Sequence, residues 1–156
     1  MPRSTNTRFA VAVHVLTYLA AERDRPVSSE ELAASTAVTA VHIRKVLGPL
    51  RAAGLVASRP GAGGGWSLGR DAAQVPLAEV WSLLQGDDPV LGLHGPNPAC
   101  PVGRGIQATL VDVDRRVADV VRAELAGTTV ADLVARAFEG LGDEADVVAP
   151  LTDLTG

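Results

Sequence analysis

VSSEELAASTAVTAVHIRKVLGPLRAAG, residues 27–54, predicts two short helices joined by a tight turn. Ser28 and Glu31 have the spacing of a capping box, in which each side chain accepts a hydrogen bond from the other residue's backbone N–H, so a helix begins there and ends near Ser35. Thr39 caps the following helix, because its hydroxyl can accept from the free N–H groups of the first turn. Two such helices with three residues between them form a helix-turn-helix.

The second helix of this pair has an apolar face and a basic face. Apolar residues recur at helical spacing and are expected to face the core: Ile43, Val46, Leu47 and Leu50. His42, Arg44 and Lys45 then face outward near the N-terminus of the helix, the part that a helix-turn-helix inserts into the major groove. Because arginine or lysine paired with guanine is the commonest specific contact, we expect Arg44 to be the principal base reader.

A strand, a glycine-rich loop and a second strand follow the helix pair. Residues 55–59 and 66–68 read as strands joined by residues 60–65, which predicts the wing of a winged helix. The loop glycines let the backbone approach a phosphate or enter the minor groove. A nucleotide-binding loop is the rival interpretation, but the segment lacks the lysine and hydroxyl of a P-loop and opens a strand instead of a helix. We interpret Trp66 as a packing residue beneath the wing.

Candidate DNA contacts come from the first helix, the helix-turn-helix and the wing. For the hydroxyl groups among them, simple helix capping is the competing explanation. The set is Arg8, Ser28, Ser29, Thr39, His42, Arg44, Lys45, Arg59, Gly63 and Gly64.

Helical periodicity also predicts helices before and after these elements. One covers about 6–22, and another begins at Pro76 and ends before Gly86. A long helix at 105–126 has an apolar stripe that must be covered, and Thr128 or Thr129 caps a final short helix. The stripe consists of Ile106, Leu110, Val113, Val117, Val120 and Val121.

These patterns predict a mostly α-helical protein with a small two-stranded β-wing. We expect a winged helix-turn-helix domain over 1–85, a Gly/Pro-rich linker loop over 86–104, the long and closing helices over 105–140, and a flexible tail over 141–156.

Charge is unevenly divided along the chain, whose net charge is -4. Residues 1–70 hold nine Arg and Lys against four Asp and Glu, and residues 71–156 hold five against fourteen. A basic half suits contact with phosphates, while the acidic half can serve another purpose, such as pairing with a second subunit. There is no apolar run long enough to cross a membrane, and the single cysteine, Cys100, suits a reducing compartment, so we expect a cytoplasmic protein with no membrane contact.

Residues suited to catalysis do not form a recognisable group. His14, His42 and His94 lie in unrelated segments, Cys100 has no evident base, and no paired carboxylates fall in a motif. We therefore expect no enzymatic activity.

Several segments together resemble the IscR/NsrR-type winged-helix regulators of the Rrf family, and the resemblance covers about 1–137. The matching segments are FAV at 9–11, VSSEELA at 27–33, LRAAGLV at 50–56, GGGWSL at 63–68 and TTVADL at 128–133. The resemblance implies a transcription regulator, which we expect to be a repressor, and a homodimer whose long helices pair and set two recognition helices about one DNA turn apart on a palindromic operator. A winged helix that binds only a protein partner through its acidic half is the alternative.

Many members of this family hold an iron-sulfur cluster through three cysteines in the segment corresponding to 86–105. Only Cys100 is present here, and adding His94 and Asp87 or Asp88 gives a poor ligand set, so we expect a cluster-free protein without a cofactor. Cys100, placed before a helix N-terminus, is a candidate sensor of oxidants or electrophiles, with an inert thiol as the competing explanation. The effector, a small molecule or a redox signal, is not identified by the sequence.

Two features depart from the family pattern. Pro49, after Gly48, lies inside the recognition helix, where it removes the hydrogen bond to the Lys45 carbonyl and is expected to kink the helix. The family often has tyrosine, glutamate and glutamine where this chain has His42, Arg44 and Lys45, so its operator sequence does not transfer to this protein.

Overall fold

The computed structural model describes residues 7–139. Within that range the chain forms six α-helices, one 3-10 turn at Ala72–Gln74 and a two-stranded antiparallel sheet, which confirms the predicted fold class. The predicted tail at 141–156 lies outside the described residues. The elements are α1 Thr7–Ala21, α2 Ser29–Thr36, α3 Ala40–Ala52, β1 Val56–Arg59, β2 Gly65–Leu68, α4 Leu77–Gln85, α5 Pro101–Leu125 and α6 Val130–Glu139.

Helices α2 and α3 form the predicted helix-turn-helix. Ser28 caps α2 by accepting from the Glu31 N–H at 3.1 Å, and Thr39 caps α3 by accepting from the His42 N–H at 3.2 Å. Between them Ala37 adopts the left-handed conformation, with φ of 54°, and its N–H bonds to the Ala33 carbonyl. The apolar face of α3 is fully buried against α1 and α2, through Ile43, Val46, Leu47 and Leu50.

The capping box at α2 is only half formed, which corrects the prediction. The Glu31 carboxylate does not turn back to the Ser28 backbone but accepts two bonds from the Arg25 guanidinium, at 2.6 and 2.9 Å, and one from the Tyr18 hydroxyl at 2.7 Å. Bidentate bonds from a guanidinium are stronger than one bond from a backbone amide, so the carboxylate joins α2 to α1 and to the loop before α2. These bonds hold the pKa of Glu31 below its usual range, and burial with the nearby carboxylate raises the pKa of Tyr18.

The wing is tied to the start of α2. Strands β1 and β2 pair antiparallel with Val56 opposite Leu68, and Val27 adds a further bridge to Trp66 through N–H···O bonds of 2.8 and 2.7 Å. Gly65 has a φ of 146°, and a Cβ on it would lie 2.6 Å from the Val27 carbonyl oxygen, so only glycine fits where the strands meet. The first strand begins at Val56, one residue later than predicted, since Leu55 is buried beneath the sheet.

Helix α3 runs without a break through Pro49. The proline has no N–H to donate to the Lys45 carbonyl, yet the helix continues to Ala52. Gly48 and Pro49 are both exposed, so this departure from the family pattern lies on the outer side of the helix and not in the core.

Helix α5 begins at Pro101, four residues before the predicted start. Pro101 occupies the first turn, where its missing N–H costs nothing, and the Cys100 sulfur accepts from the Gly103 N–H at 3.4 Å. The sequence interpretation took the glycines and proline of this segment as loop residues, but a proline is favoured at a helix start. No residue of α5 is buried.

After α5 the chain returns to the winged domain. Thr129 and Asp132 cap α6 reciprocally, with both backbone N–H groups bonded to the other side chain, which confirms a threonine cap at this position. The Leu77 N–H donates to the Thr128 carbonyl, and the Val130 N–H donates to the Val75 carbonyl. Val130 itself is fully buried in the core. The segment after the C-terminus of α5 is therefore connected to the winged domain, while no residue of α5 itself is fully buried.

The ion pairs of Glu31 predict a pH-dependent contribution to stability. In Glu31→Gln we expect the free energy of unfolding to fall by about 1–2 kcal/mol at pH 7, because the charged acceptor of Arg25 and Tyr18 is lost. A depressed pKa in the folded state stabilises the fold above the unfolded pKa, roughly 4.3, and that contribution disappears as pH falls. Thermal unfolding from pH 7 to pH 3 should show the gap between wild type and variant closing below about pH 4.

Glu30→Gln is the matched control, since Glu30 is adjacent in sequence but 68% exposed and its ion pair is at the surface. Its unfolding temperature should follow wild type at every pH. If the unfolding temperature of Glu31→Gln stayed below that of wild type by the same amount down to pH 3, the pH-dependent stabilisation would not come from the Glu31 carboxylate.

Candidate nucleic-acid interface

The outward side of α3 carries the predicted basic residues. We define the outer face of α3 as its exposed stripe, which is Val41, Arg44, Lys45, Gly48 and Pro49. The opposite side is buried, so only the outer face is accessible to a ligand. His42, also predicted as a contact, is only partly exposed and lies at the edge of this face.

Sequence reasoning missed Val41, which is 59% exposed. Its signal was the spacing of three and four residues from Arg44 and Lys45, which places all three on one side of a helix. The predicted contacts were chosen for charge, for hydrogen-bonding groups or for glycine, and a valine side chain has none of these.

Arg44 is held at the surface by an ion pair. Its guanidinium lies 2.7 Å from a Glu30 carboxylate oxygen, and the two side chains are 53% and 68% exposed. Exposed pairs of this kind contribute little, so Arg44 can exchange the carboxylate for a phosphate or a base edge at small cost. Within residues 7–139, Lys45 has no ion-pair partner.

The three predicted hydroxyl contacts occupy two different environments. Ser28 and Thr39 are exposed at the N-termini of α2 and α3, where backbone N–H groups can also meet a phosphate. Ser29 is only 7% exposed, and its hydroxyl accepts a 3.0 Å bond from the Trp66 indole N–H. This bond joins the wing to α2, and the packing role predicted for Trp66 is confirmed.

The wing presents Arg59 and a glycine turn to solvent. Arg59 is exposed at the end of β1, and the Gly64 N–H closes the turn onto the Gly61 carbonyl at 3.0 Å. A Cβ on Gly64 would lie 2.1 Å from the Arg59 carbonyl oxygen, so the fold itself requires this glycine. Gly63 has a φ of 74° and is exposed beside it.

Arg8 is engaged within the chain. Its guanidinium donates to the Leu84 carbonyl at 3.0 Å, at the C-terminus of α4. Positive charge is favourable at a helix C-terminus, so this contact gives Arg8 a role in joining α1 to α4. Sequence patterns could not reveal a contact between residues so far apart in the chain.

The exposed side of α5 is apolar over much of its length. The side chains of Val102, Ile106 and Val120 are 73%, 49% and 69% exposed. The predicted residues Leu110, Val113, Val117 and Val121 are partly covered. A groove of about 350 Å³ lies on this side, lined by Val113, Arg116, Val117, Val120 and Val121.

Another side of α5 contacts α4 and the loop that follows α4. The Arg122 guanidinium stacks over the Trp81 ring, 5.7 Å from its centroid, and the Asp114 carboxylate accepts from the Leu91 N–H at 2.7 Å. With these contacts in place, Ile106 and Val120 of the apolar stripe stay exposed to solvent.

Metal ligands do not converge in the described part of the chain. No group of three or more His, Cys, Asp or Glu side chains in residues 7–139 is placed to hold a metal ion, and Cys100 is exposed at the start of α5. No helix of residues 7–139 is both long and apolar enough to span a membrane.

A helix-turn-helix with a basic outer face and a glycine-rich wing defines a winged-helix DNA-binding transcription regulator. The chain belongs to the Rrf2 family, whose model, described as an iron-dependent transcriptional regulator, matches residues 5–136. This confirms the resemblance seen in the sequence. The residues described here do not fit an iron-sulfur cluster, because a single cysteine with no converging ligands cannot hold one.

Similar proteins agree with this membership. A Bacillus subtilis protein, YwnA, named as an HTH-type transcriptional regulator, is 34% identical over 134 residues, which are 85% of this chain and 98% of YwnA. A crystal structure of a transcriptional regulator from Lactobacillus plantarum is 32% identical, with a TM-score of 0.70 over 85% of this chain and 89% of that one. CymR, the global cysteine regulator of B. subtilis, is 25% identical, with a TM-score of 0.61 over 83% and 95% of the two chains. These relatives are regulators and not enzymes.

The ion pair between Arg44 and Glu30 predicts that Glu30 weakens DNA binding. In Glu30→Gln, a negative charge beside the outer face of α3 is removed and Arg44 is released. We expect affinity for random-sequence duplex DNA to rise roughly two- to fivefold at low salt, with the gain shrinking as salt increases. Fluorescence anisotropy across a salt series measures it.

Asp112→Asn is the matched control, because it removes the same charge from an exposed ion pair on α5. Its affinity should stay within the error of wild type. An unchanged or lower affinity in Glu30→Gln would show that Arg44 does not face the DNA.

Proposed function

We propose that this protein is a homodimeric repressor that binds a palindromic operator and works without an iron-sulfur cluster. The observation that carries the proposal is the outer face of α3, where Arg44 and Lys45 stand exposed opposite a fully buried apolar face. In the major groove these cations can each bind guanine or a phosphate.

The other predicted contacts are assigned around this helix. His42 lies at its edge, Ser28 and Thr39 offer phosphate sites at the helix N-termini, and Arg59 with Gly63 and Gly64 brings the wing to the DNA backbone or the minor groove. Ser29 and Arg8 contribute indirectly, because their polar groups are already bonded inside the fold.

The proposed dimer rests on α5. A helix of 25 residues with no buried side chain and an apolar stripe is unfavourable in water alone, and a second copy would cover the stripe. The dimerisation residues would be Ile106, Leu110, Val113, Val117, Val120 and Val121. Two-fold pairing would place two α3 helices about one DNA turn apart and so select a palindrome.

The cluster-free state and the action as a repressor are parts of the proposal, and the first is supported by the ligands that residues 7–139 contain. They supply one cysteine and no converging metal ligands, which supports regulation by something other than a bound cluster. In this proposal the dimer acts in the cytoplasm, where its binding to the operator blocks access to a promoter. Cys100, exposed at the N-terminus of α5, stays the candidate for a redox signal.

Removing the basic outer face should abolish specific binding. A duplex is first selected from a random-sequence pool with wild-type protein, and Arg44→Ala and Lys45→Ala are then titrated against it. Each variant should lose at least about fivefold in affinity, because a base contact to guanine contributes roughly 1–3 kcal/mol. Arg115→Ala, which removes an equally exposed cation from α5, is the control and should bind as wild type does.

The double variant combines Arg44→Ala with Lys45→Ala. If it kept full affinity and sequence preference, the assignment of these residues to the DNA interface would be contradicted. The alternative, a winged helix that binds only proteins, predicts that no duplex is enriched and that binding is absent even at low salt.

A charge on the apolar stripe should separate the dimer. Val120 is 69% exposed, so Val120→Asp costs the isolated chain little but would bury a carboxylate between two copies. We expect a monomer by light scattering at micromolar concentration, with operator affinity reduced at least tenfold. Ala108→Asp, on the opposite side of α5, is the control and should stay dimeric; a dimeric Val120→Asp would rule out this interface.

A further inference from the structure

Val41 is an apolar side chain held in the open on the outer face of α3. It is 59% exposed and, unlike Ile43, Val46, Leu47 and Leu50 of the same helix, neither belongs to the core nor packs against it. It lies in the first turn, beside Arg44 and Lys45 at helical spacing. That turn is the part of a recognition helix that reaches base edges.

The fold gives no reason for valine at this position. A β-branched residue is a weaker helix former than alanine, and exposure of its methyl groups gains nothing in water. A ligand that offers an apolar surface between polar groups would make use of it. In the major groove that surface is the C5 methyl group of thymine.

We propose that Val41 reads a thymine in each operator half-site by contact with its C5 methyl group. The inference rests on the proposed DNA-binding function and specifies part of the sequence recognised. A helix rises 1.5 Å per residue and base pairs stack about 3.4 Å apart, so this thymine lies roughly one or two base pairs from the base bound by Arg44.

Gly48 makes the contact reachable for a short side chain. It lies two turns beyond Val41 on the same face, and a Cβ placed on it would meet nothing within 4 Å, so the packing of the chain does not require glycine there. Without a side chain at Gly48, the helix backbone can approach the floor of the groove closely, and the valine methyl groups then reach the base edge.

The test replaces each thymine of the selected duplex in turn by deoxyuridine, which removes only the C5 methyl group. For wild type, one symmetry-related pair of replacements should weaken binding about three- to fivefold per half-site, the effect of one buried methyl group. In Val41→Ala the same replacements should change affinity by less than twofold, while the thymine-containing duplex binds more weakly than it does to wild type. Position 41 is exposed, so the variant should unfold at the wild-type temperature or above it.

Three results would overturn the inference. If wild type binds the selected duplex specifically but tolerates every deoxyuridine, the thymine contact is ruled out and the proposed function stands. If deoxyuridine lowers the affinity of wild type and of Val41→Ala equally, the methyl group is contacted by another residue. If no duplex is enriched by wild type, the proposed function fails and the inference fails with it.

Discussion

The burial of one side of α3 is the constraint on which the rest of the structure depends. Ile43, Leu47 and Leu50 are completely inaccessible to solvent, and each such side chain contributes roughly 1.5–3 kcal/mol. Because a helix repeats every 3.6 residues, anchoring these positions also determines which side chains point away from the core. The positions of Arg44 and Lys45, and their availability to DNA, thus follow from apolar packing and not from any attraction between charges.

The second half of the chain also contributes to the core, but it leaves an apolar side of α5 exposed. Val130 enters the core and α6 packs on α1, so the protein uses the end of the chain to complete the winged domain. Helix α5 is held against α4 by Arg122, and Leu125 at its end packs against the core, yet none of its residues is fully buried. One chain thereby offers a basic surface and an apolar surface on different elements, which suits a protein that binds DNA and a second copy of itself.

Much of this architecture could be predicted from the sequence, because helix caps and apolar periodicity are local. The Ser28 and Thr39 caps, the wing and the helical stripe after the linker were all readable. Contacts between distant segments were not: the preference of Glu31 for Arg25 over its own helix cap, and the engagement of Arg8 at α4, depend on tertiary packing. Val41 was missed because the predicted contacts were chosen for charge, hydrogen-bonding groups or glycine, and the exposure of an apolar side chain depends on how its helix packs.

The central claim is that two copies of the chain place the outer faces of their α3 helices in successive major grooves. Hydroxyl-radical footprinting of wild-type protein on the selected duplex tests it directly. We expect two protected regions related by a two-fold axis, on one side of the duplex, with centres about 10 base pairs apart. A single unsymmetrical region, or protection with no defined boundary, would contradict the claim.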